Sequence, residues 1–316
     1  MQTAGTTDLG PVVSTLPPDL ARAVAELSAS DRSALVEVRL RAGRPLELVG
    51  AKRYERTLVT REHIAHVLAA ITGSSLYAVE PELAQGFITI GGGHRVGVAG
   101  RVVLDDRGHV RTVRDINSLD IRVARAVVGA SRRLGRVLAR GRERVCSALL
   151  VGPPLSGKTT LLRDLVRALA SGTLDGVHAP LRVVVVDERS EIAGCVRGCP
   201  EFDVGDRTDV LDGCPKRVGI HMALRALAPE VIATDEVGDV QDAMVIADVA
   251  RAGVVFIGTA HVRGASELAE RPFLRALVAS RAIDRYVVIT REGGYGNVGQ
   301  VLDERLQPLA DPWFRG

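Results

Sequence analysis

The chain has 316 residues, of which 46% are hydrophobic and 25% charged, a composition typical of a globular protein with room for two domains. The formal net charge of +3 and the aromatic content of 3% argue against a protein built around nucleic-acid binding. No apolar run approaches the length of a membrane span, and residues 1–15 lack the basic start and apolar core of a secretory signal. We therefore expect a cytoplasmic protein with no membrane span of its own.

The N-terminal part of the sequence predicts a small α+β domain at residues 19–129, after a flexible lead at residues 1–18 that is rich in Thr, Pro and Gly. Thr60 is placed to cap a helix, and Gly73 is placed to end it. Alternating or periodic apolar residues predict the remaining elements. In chain order the elements are a helix at 18–27, strands at 36–41 and 46–49, helices at 60–71 and 76–85, a hairpin within 87–103, and strands at 109–113 and 118–123.

The C-terminal part of the sequence has a different pattern. Residues 130–144 are rich in arginine and predict a helix that links two domains. From residue 145 to residue 316, apolar runs alternate with helical segments, which predicts a mostly parallel sheet with helices on both faces. The strands are expected at 145–151, 181–187, 231–235, 254–259 and 286–290, followed by a turn at 293–297 and an antiparallel return strand.

The four cysteines are Cys146, Cys195, Cys199 and Cys214. Without a secretory signal, we expect them to be reduced. The last three cluster loosely along the chain and could bind zinc together with a histidine, but their spacing matches no paired C-x-x-C site. We favour buried thiols that pack as small apolar residues.

The run from Gly152 to Thr159 matches the phosphate-loop pattern G-x-x-x-x-G-K-[ST] at every fixed position. It lies between a strand-like run and a helical segment, so backbone N–H groups and the helix N-terminus would converge on phosphate oxygens. Lys158 is predicted to reach the β- and γ-phosphates, and the Thr159 hydroxyl is predicted to hold magnesium. The residues expected to bind the nucleotide are Gly152, Pro153, Pro154, Leu155, Ser156, Gly157, Lys158, Thr159 and Thr160.

Polar residues follow three later strands of the predicted parallel sheet, where ligands bind in such folds. The first strand ends in Asp187 and Glu188, which suit magnesium binding or water activation, or form a solvated loop entrance. The next ends in Asp235 and Glu236, the form of a Walker B element. Asp235 would hold the magnesium through water, and Glu236 would orient or deprotonate the attacking water. The pattern leaves open whether Glu188 or Glu236 is the base.

The third strand ends in Thr259-Ala260-His261. A polar pair at this position could sense the γ-phosphate through hydrogen bonds, which makes His261 a candidate catalytic residue. The alternative is a histidine that is merely hydrogen-bonded at a strand end.

These motifs resemble the secretion ATPases of type II and type IV systems. Residues 224–232 followed by Asp235-Glu236-Val237-Gly238-Asp239 are similar to their extended Walker B signature. The resemblance assigns Asp187 and Glu188 to the aspartate box and His261 to the histidine box, although a second histidine common in that group is missing here.

The sequence resembles the stage III sporulation protein AA family more closely, over residues 36–288. The resemblance rests on four runs, of which the segment at 203–216 is the most specific because generic secretion ATPases lack it. These runs lie at 92–101, 118–124, 186–193 and 203–216. One departure is Leu155, at a loop position that is often glycine.

The resemblance implies a RecA-like P-loop ATPase domain that uses ATP and Mg²⁺ and assembles into a ring, expected to be a hexamer. It also implies work in the mother cell at the forespore membrane, where the protein would attach peripherally to integral membrane proteins of a secretion-like channel complex. Ring ATPases stabilise charge on the γ-phosphate with arginines from another domain or subunit. Arg95, Arg101 and Arg122 match the family pattern, and at least one of them is expected to face a nucleotide.

Two other functions fit part of the pattern. The first is a RecA-like motor that depends on nucleic acid, against which the low aromatic content and nearly balanced charge argue. The second is a scaffold that assembles with nucleotide but does not hydrolyse it, against which the intact pair Asp235-Glu236 argues.

Overall fold

Strand β1 (Glu37–Arg41) shows how the first part of the chain forms an antiparallel sheet. Its side chains alternate, so that Val38 and Leu40 are fully buried while Glu37, Arg39 and Arg41 on the other face are partly exposed. A turn returns the chain to β2 (Glu47–Val49), and Val38 pairs with Leu48. The five strands of this sheet have the order β2-β1-β5-β4-β3, with every neighbouring pair antiparallel.

The structure is a computed structural model that describes residues 8–51, 56–75, 79–264, 267–268, 270–292 and 296–309. The other elements of the first part, in chain order, are α1 (Gly10–Thr15), α2 (Pro18–Ala25), α3 (Ala29–Ala34), α4 (Arg61–Thr72), α5 (Glu80–Ala84), β3 (Phe87–Ile90), β4 (His94–Leu104) and β5 (Val110–Arg122).

Helix α1 corrects the prediction of a flexible lead. Pro11 lies in the first turn of the helix, and the helix and its flanks bury Leu9, Val12 and Leu16 in the core of the first sheet. The prediction was therefore wrong for residues 8–18. Their Thr- and Pro-rich composition suggested a flexible segment, but Leu9, Val12 and Leu16 are spaced so that one face of a helix is apolar. Residues 1–7 lie outside the described part of the chain.

Helix α4 forms as predicted: the Thr60 hydroxyl accepts a hydrogen bond from the His63 N–H, and Gly73 ends the helix with φ of 57°. Strand β5 is longer than predicted, because the strands expected at 109–113 and 118–123 form one strand. The chain passes through an irregularity near Asp115, which has φ of 48°, without leaving the sheet.

The second sheet has seven strands in the order β12-β11-β6-β10-β9-β7-β8. Its strands are β6 (Ala148–Gly152), β7 (Val183–Asp187), β8 (Thr208–Asp212), β9 (Val231–Thr234), β10 (Val255–His261), β11 (Arg285–Thr290) and β12 (Asn297–Leu302). All neighbours are parallel except β11 and β12, which confirms the mostly parallel sheet and the antiparallel return strand. The helices are α6 (Gly135–Leu138), α7 (Lys158–Ala170), α8 (Lys216–Ala226), α9 (Val240–Arg251) and α10 (Pro272–Ser280).

Each buried strand of this sheet packs against a hydrophobic core on both of its faces. In β6, Ala148 and Leu150 pack on the face covered by α7, whereas Leu149 and Val151 pack on the face covered by α8, α9 and α10. Strand β7 alternates in the same way. Strands that are apolar on both faces bring their first polar side chains to their ends, where the candidate site lies.

Two other segments differ from their predicted form. The predicted linker helix at 130–144 is a 3₁₀ turn at Arg132–Leu134 followed by the four residues of α6, and Leu134 and Leu138 pack into the core around α7. No strand was predicted within the segment at 203–216, which contains β8; this strand pairs with β7 at the sheet edge. The chain divides into two compact units, Met1–Ala126 and Val127–Gly316.

Within the described residues, no helix is long and apolar enough to cross a membrane.

Candidate nucleotide site

The phosphate loop connects the buried strand β6 to helix α7. Gly157 precedes the helix with φ of 91°, a conformation that glycine adopts without steric cost. Leu155 also has a positive φ, 59°, and its side chain is 80% exposed. The non-glycine residue at this position is therefore accommodated by directing its side chain into solvent.

Gly152 and Ser156 form the floor of the loop. A Cβ atom on Gly152 would lie 2.5 Å from the main-chain oxygen of Ile289, so the strand can end here only in glycine. The Ser156 hydroxyl is fully buried and has no hydrogen-bond partner among the described atoms. A buried hydroxyl without a partner, next to the N–H groups of a helix start, fits a phosphate ligand.

Lys158 is buried and turned towards the loop. Its Nζ donates hydrogen bonds to the main-chain oxygens of Gly152 at 3.0 Å and Pro153 at 2.8 Å, and lies 3.1 Å from His261 Nδ1. Burial lowers the pKa of Lys158, while the carboxylates of Asp235 and Glu236 oppose that shift. The ammonium group is thus held at the mouth of the loop, and its contact with phosphate stays a prediction.

Thr159 and Asp235 connect the phosphate loop to the Walker B strand. The Thr159 hydroxyl donates to Asp235 Oδ2 at 2.7 Å, and Asp235 Oδ1 accepts from the Thr259 hydroxyl and from the Glu236 N–H at 2.9 Å. Strands β6, β10 and β9 are neighbours, which explains how residues far apart in sequence converge. A hydroxyl and a carboxylate are oxygen ligands of the kind that Mg²⁺ takes beside phosphates, so this pair fits the ion.

Glu236 has an unusual backbone conformation, with φ of 58°, and its N–H donates to the Thr259 hydroxyl at 2.9 Å. Its carboxylate lies between two partners: Arg189 Nη1 contacts Oε2, and His261 Nε2 lies 3.4 Å from Oε1. His261 therefore stands between Lys158 and Glu236. The position of Glu236 beside a pair of oxygen groups that fits Mg²⁺ suits a residue that orients water.

Asp187 has a different environment from the one predicted. It is buried, and its carboxylate oxygens accept hydrogen bonds from the N–H groups of Glu191, Ile192 and Ala193 at 2.8, 2.9 and 2.8 Å. Burial raises its pKa to about 6, against the effect of these bonds. Because both oxygens serve the following turn, the structure gives Asp187 an anchoring role where the sequence predicted a magnesium ligand.

Glu188 reaches the same cleft as Glu236 and forms an ion pair with Lys216, whose Nζ lies 2.6 Å from Oε2. The sequence analysis missed Lys216 and Arg189, because nothing in their local pattern shows which carboxylate each one meets. A narrow cleft brings these groups together; its lining residues are Asp187, Glu188, Arg189, Glu191, Lys216, Asp235 and Glu236.

Arg163, one turn along α7 from the phosphate loop, was also missed. It donates to the main-chain oxygens of Ile192 at 2.6 Å and Glu191 at 2.5 Å, and its guanidinium lies 3.7 Å from the centre of the Phe202 ring. Burial lowers its pKa to about 10. Arg163 thereby ties the helix of the phosphate loop to the turn after β7.

The three arginines predicted to reach a nucleotide all lie in the first unit. Arg95 stacks on Phe87 at 3.8 Å, and Arg122 lies 3.9 Å from Glu37 and 3.8 Å from Asp120. Arg101 is exposed on β4. A contact with nucleotide stays a prediction for each of them.

The expectation of buried thiols holds for two of the four cysteines and is wrong for Cys199. All four have free thiols, with Cys146 and Cys195 buried and Cys199 exposed. Among the residues that the structure describes, no three His, Cys, Asp or Glu side chains form a group able to hold a metal ion.

The fold of the chain is that of a RecA-like ATPase preceded by a domain with an antiparallel sheet. The crystal structure of the ATPase DotB from Legionella pneumophila matches with a TM-score of 0.55 over 86% of this chain and 76% of that chain, at 14% identity. The pilus retraction motor PilT with bound ADP matches with a TM-score of 0.54 over 90% of this chain and 81% of that chain, at 15% identity. At these identities the likeness shows the fold.

Sequence similarity shows the family. The family model described as Sporulation stage III, protein AA matches residues 13–309. Stage III sporulation protein AA of Bacillus subtilis (strain 168) is 40% identical over 295 residues, which make up 93% of this chain and 94% of that protein. The chain belongs to the stage III sporulation protein AA family, as its motifs predicted.

Proposed function

We propose that this protein is an ATP-hydrolysing motor of the secretion-ATPase type that acts in sporulation. The observation that carries the proposal is the hydrogen bond between Thr159 of the phosphate loop and Asp235, with Glu236 directly beside it. A site that only bound nucleotide would not need an acidic residue placed next to the magnesium pair. The RecA-like fold and the family membership support the same conclusion.

In this mechanism the substrate is ATP, and water attacks its γ-phosphate in line with the leaving oxygen. Lys158 offsets negative charge on the β- and γ-phosphates, and the helix N-terminus after Gly157 contributes N–H donors. Mg²⁺, held by Thr159 and Asp235, would supply further positive charge at the phosphates.

Glu236 orients the attacking water and accepts its proton. We favour Glu236 over Glu188 as the base because Glu236 directly follows Asp235, whose carboxylate accepts the hydrogen bond from Thr159 of the phosphate loop. His261, between Lys158 and Glu236, is placed to respond to the γ-phosphate.

The wider assignment rests on the family. We propose a ring, expected to be a hexamer, in which Arg95, Arg101 or Arg122 completes the site of a nucleotide. The ring would bind integral membrane proteins of a channel complex on the cytoplasmic side of the membrane, in the mother cell. The family membership supports the role in sporulation, and the phosphate loop supports the motor.

The test is Mg²⁺-dependent release of phosphate from ATP by the purified protein. We expect Lys158→Ala to abolish the activity, and Lys158→Arg to abolish it too, because a guanidinium does not fit the carbonyl pair that holds the ammonium. An unchanged circular dichroism spectrum controls for folding. Activity that Lys158→Ala leaves intact would overturn the proposal, and activity that appears only with single-stranded DNA would favour a nucleic-acid motor.

A further inference from the structure

Strands β7 and β9 are neighbours, and an arginine–glutamate pair lies at each end of them. Before the strands, Arg182 lies 3.8 Å from Glu230; after them, Arg189 contacts Glu236. The arginine side chains are almost equally exposed, 59% for Arg182 and 57% for Arg189. Exposed ion pairs of this kind contribute little to the free energy of unfolding. The two pairs therefore have similar exposure and differ in the residues that surround them.

The turn that carries Arg189 is held from several sides. The Asp187 carboxylate accepts three of its N–H groups, and Arg163 donates to two of its carbonyls. The Ser190 hydroxyl contacts the Asp212 carboxylate at the end of β8. An arginine on a fixed turn presents its guanidinium in a narrow range of positions, which a flexible loop would not do.

The segment at 203–216 supplies a cation for the carboxylate that precedes Arg189. Its last residue, Lys216, pairs with Glu188, the acidic residue next to Arg189 in the chain. The cations and carboxylates therefore pair in order along the strand ends, Lys216 with Glu188 and Arg189 with Glu236. Lys216, the last residue of the segment at 203–216, therefore lies in the cleft together with Glu188 and Glu236.

Glu236 depends on side-chain partners to keep one orientation. Its backbone N–H is hydrogen-bonded to the Thr259 hydroxyl and the Asp235 carboxylate, but its own carboxylate lies at the end of a flexible side chain. Apart from Arg189, the partner that the structure shows for this carboxylate is His261 at 3.4 Å. Arg189 supplies the closer contact.

We propose that Arg189 is a positioning residue, which holds the Glu236 carboxylate where it can orient the attacking water. The inference rests on the proposed function. Arg189 acts on the hydrolytic step through Glu236, so its loss affects turnover and leaves nucleotide binding by the phosphate loop in place. A lysine at this position keeps a cation on the same turn and restores part of the function.

The experiment compares the full-length wild type with Arg189→Gln, Arg189→Lys and the matched control Arg182→Gln. ATP turnover gives kcat and KM, and a fluorescent ATP analogue gives nucleotide affinity. We expect Arg189→Gln to lower kcat about tenfold or more, because small misplacements of a reacting group are costly. KM and analogue affinity should stay within about twofold, since misplacement of Glu236 leaves the binding groups unchanged. Arg189→Lys should recover part of kcat, and Arg182→Gln should match the wild type.

The inference is overturned if Arg189→Gln keeps the kcat of the Arg182→Gln control while the wild type hydrolyses ATP. It is also overturned if Arg189→Gln changes KM and analogue affinity as much as kcat, since Arg189 would then bind nucleotide. A wild type that binds the analogue without turnover overturns the proposed function, and this inference with it.

Discussion

The two sheets place their charged residues in opposite ways. In the antiparallel sheet, Glu37 and Arg39 of β1 and Asp120 and Arg122 of β5 form ion pairs along one partly exposed face. In the parallel sheet, β6, β7 and β9 are buried along their whole length, and charged residues come together only after the strands end. The charges of the antiparallel sheet are spread along its strands, whereas those of the parallel sheet are gathered at one edge, where they contact each other.

The difference shows why one region suits catalysis. Parallel strands all end at the same edge, so Asp235, Glu236 and His261 come together beside the phosphate loop that follows β6. Antiparallel strands end at alternate edges, which separates their terminal side chains. The following predictions test this contrast, from the largest expected effect to the smallest.

Glu236→Gln is expected to have the largest effect. It keeps the size of the side chain and removes the base, so kcat for ATP hydrolysis should fall by about a hundredfold or more while a fluorescent ATP analogue still binds. The matched control is Glu230→Gln, at the opposite end of β9, which should keep the wild-type rate. Normal turnover by Glu236→Gln would transfer the role to Glu188; normal assembly and sporulation without turnover would support the scaffold function.

Asp187→Ala tests the anchoring role. Removal of the carboxylate leaves three N–H groups without their acceptor, and we expect the free energy of unfolding to fall by about 3 kcal/mol. Urea unfolding measures the loss, with Asp209→Ala on the exposed side of β8 as a control that should change little. A variant that kept its stability but needed more Mg²⁺ for activity would instead restore Asp187 as a metal ligand.

His94 gives the smallest predicted effect, in the first unit. Its Nδ1 accepts a hydrogen bond from the Ala124 N–H at 3.0 Å, so Nε2 carries the proton and donates to the Asp8 main-chain oxygen at 2.9 Å. Burial lowers its pKa, and the hydrogen bond to the Asp8 main-chain oxygen and the nearby Asp8 carboxylate oppose that shift. The fold therefore favours the neutral ring, and this stability is present above the unfolded pKa of about 6.5 and is lost as the pH falls below it.

Between about pH 7.5 and about pH 5.5 we expect the wild type to lose about 1 kcal/mol more stability than His94→Gln, whose amide does not titrate in this range. Urea unfolding at both pH values measures the difference. His109→Gln, at a histidine whose side chain is 75% exposed, should behave like the wild type. Equal pH dependence of the wild type and His94→Gln would contradict the assignment.

Much of this molecule was predictable because the signals are local. The spacing from Gly152 to Thr159, the apolar runs that precede Asp187, Asp235 and His261, and the cap at Thr60 all depend on residues close in the chain. Buried strands need continuous apolar runs, and a phosphate loop needs its glycines and lysine. These requirements determined the parallel sheet, the phosphate loop and the acidic strand ends from the sequence by itself.

The tertiary structure decided which side chains meet. Whether Asp187 faces a metal or its own turn depends on the backbone that follows it, and the partners of Glu188 and Glu236 come from distant segments. Strand β8 was not predicted because an edge strand can form with few apolar residues. Its extended conformation depends on pairing with β7. Local periodicity specifies elements, but pairing between distant elements depends on the packing of the whole sheet, and that packing brought the separate motifs together at one edge.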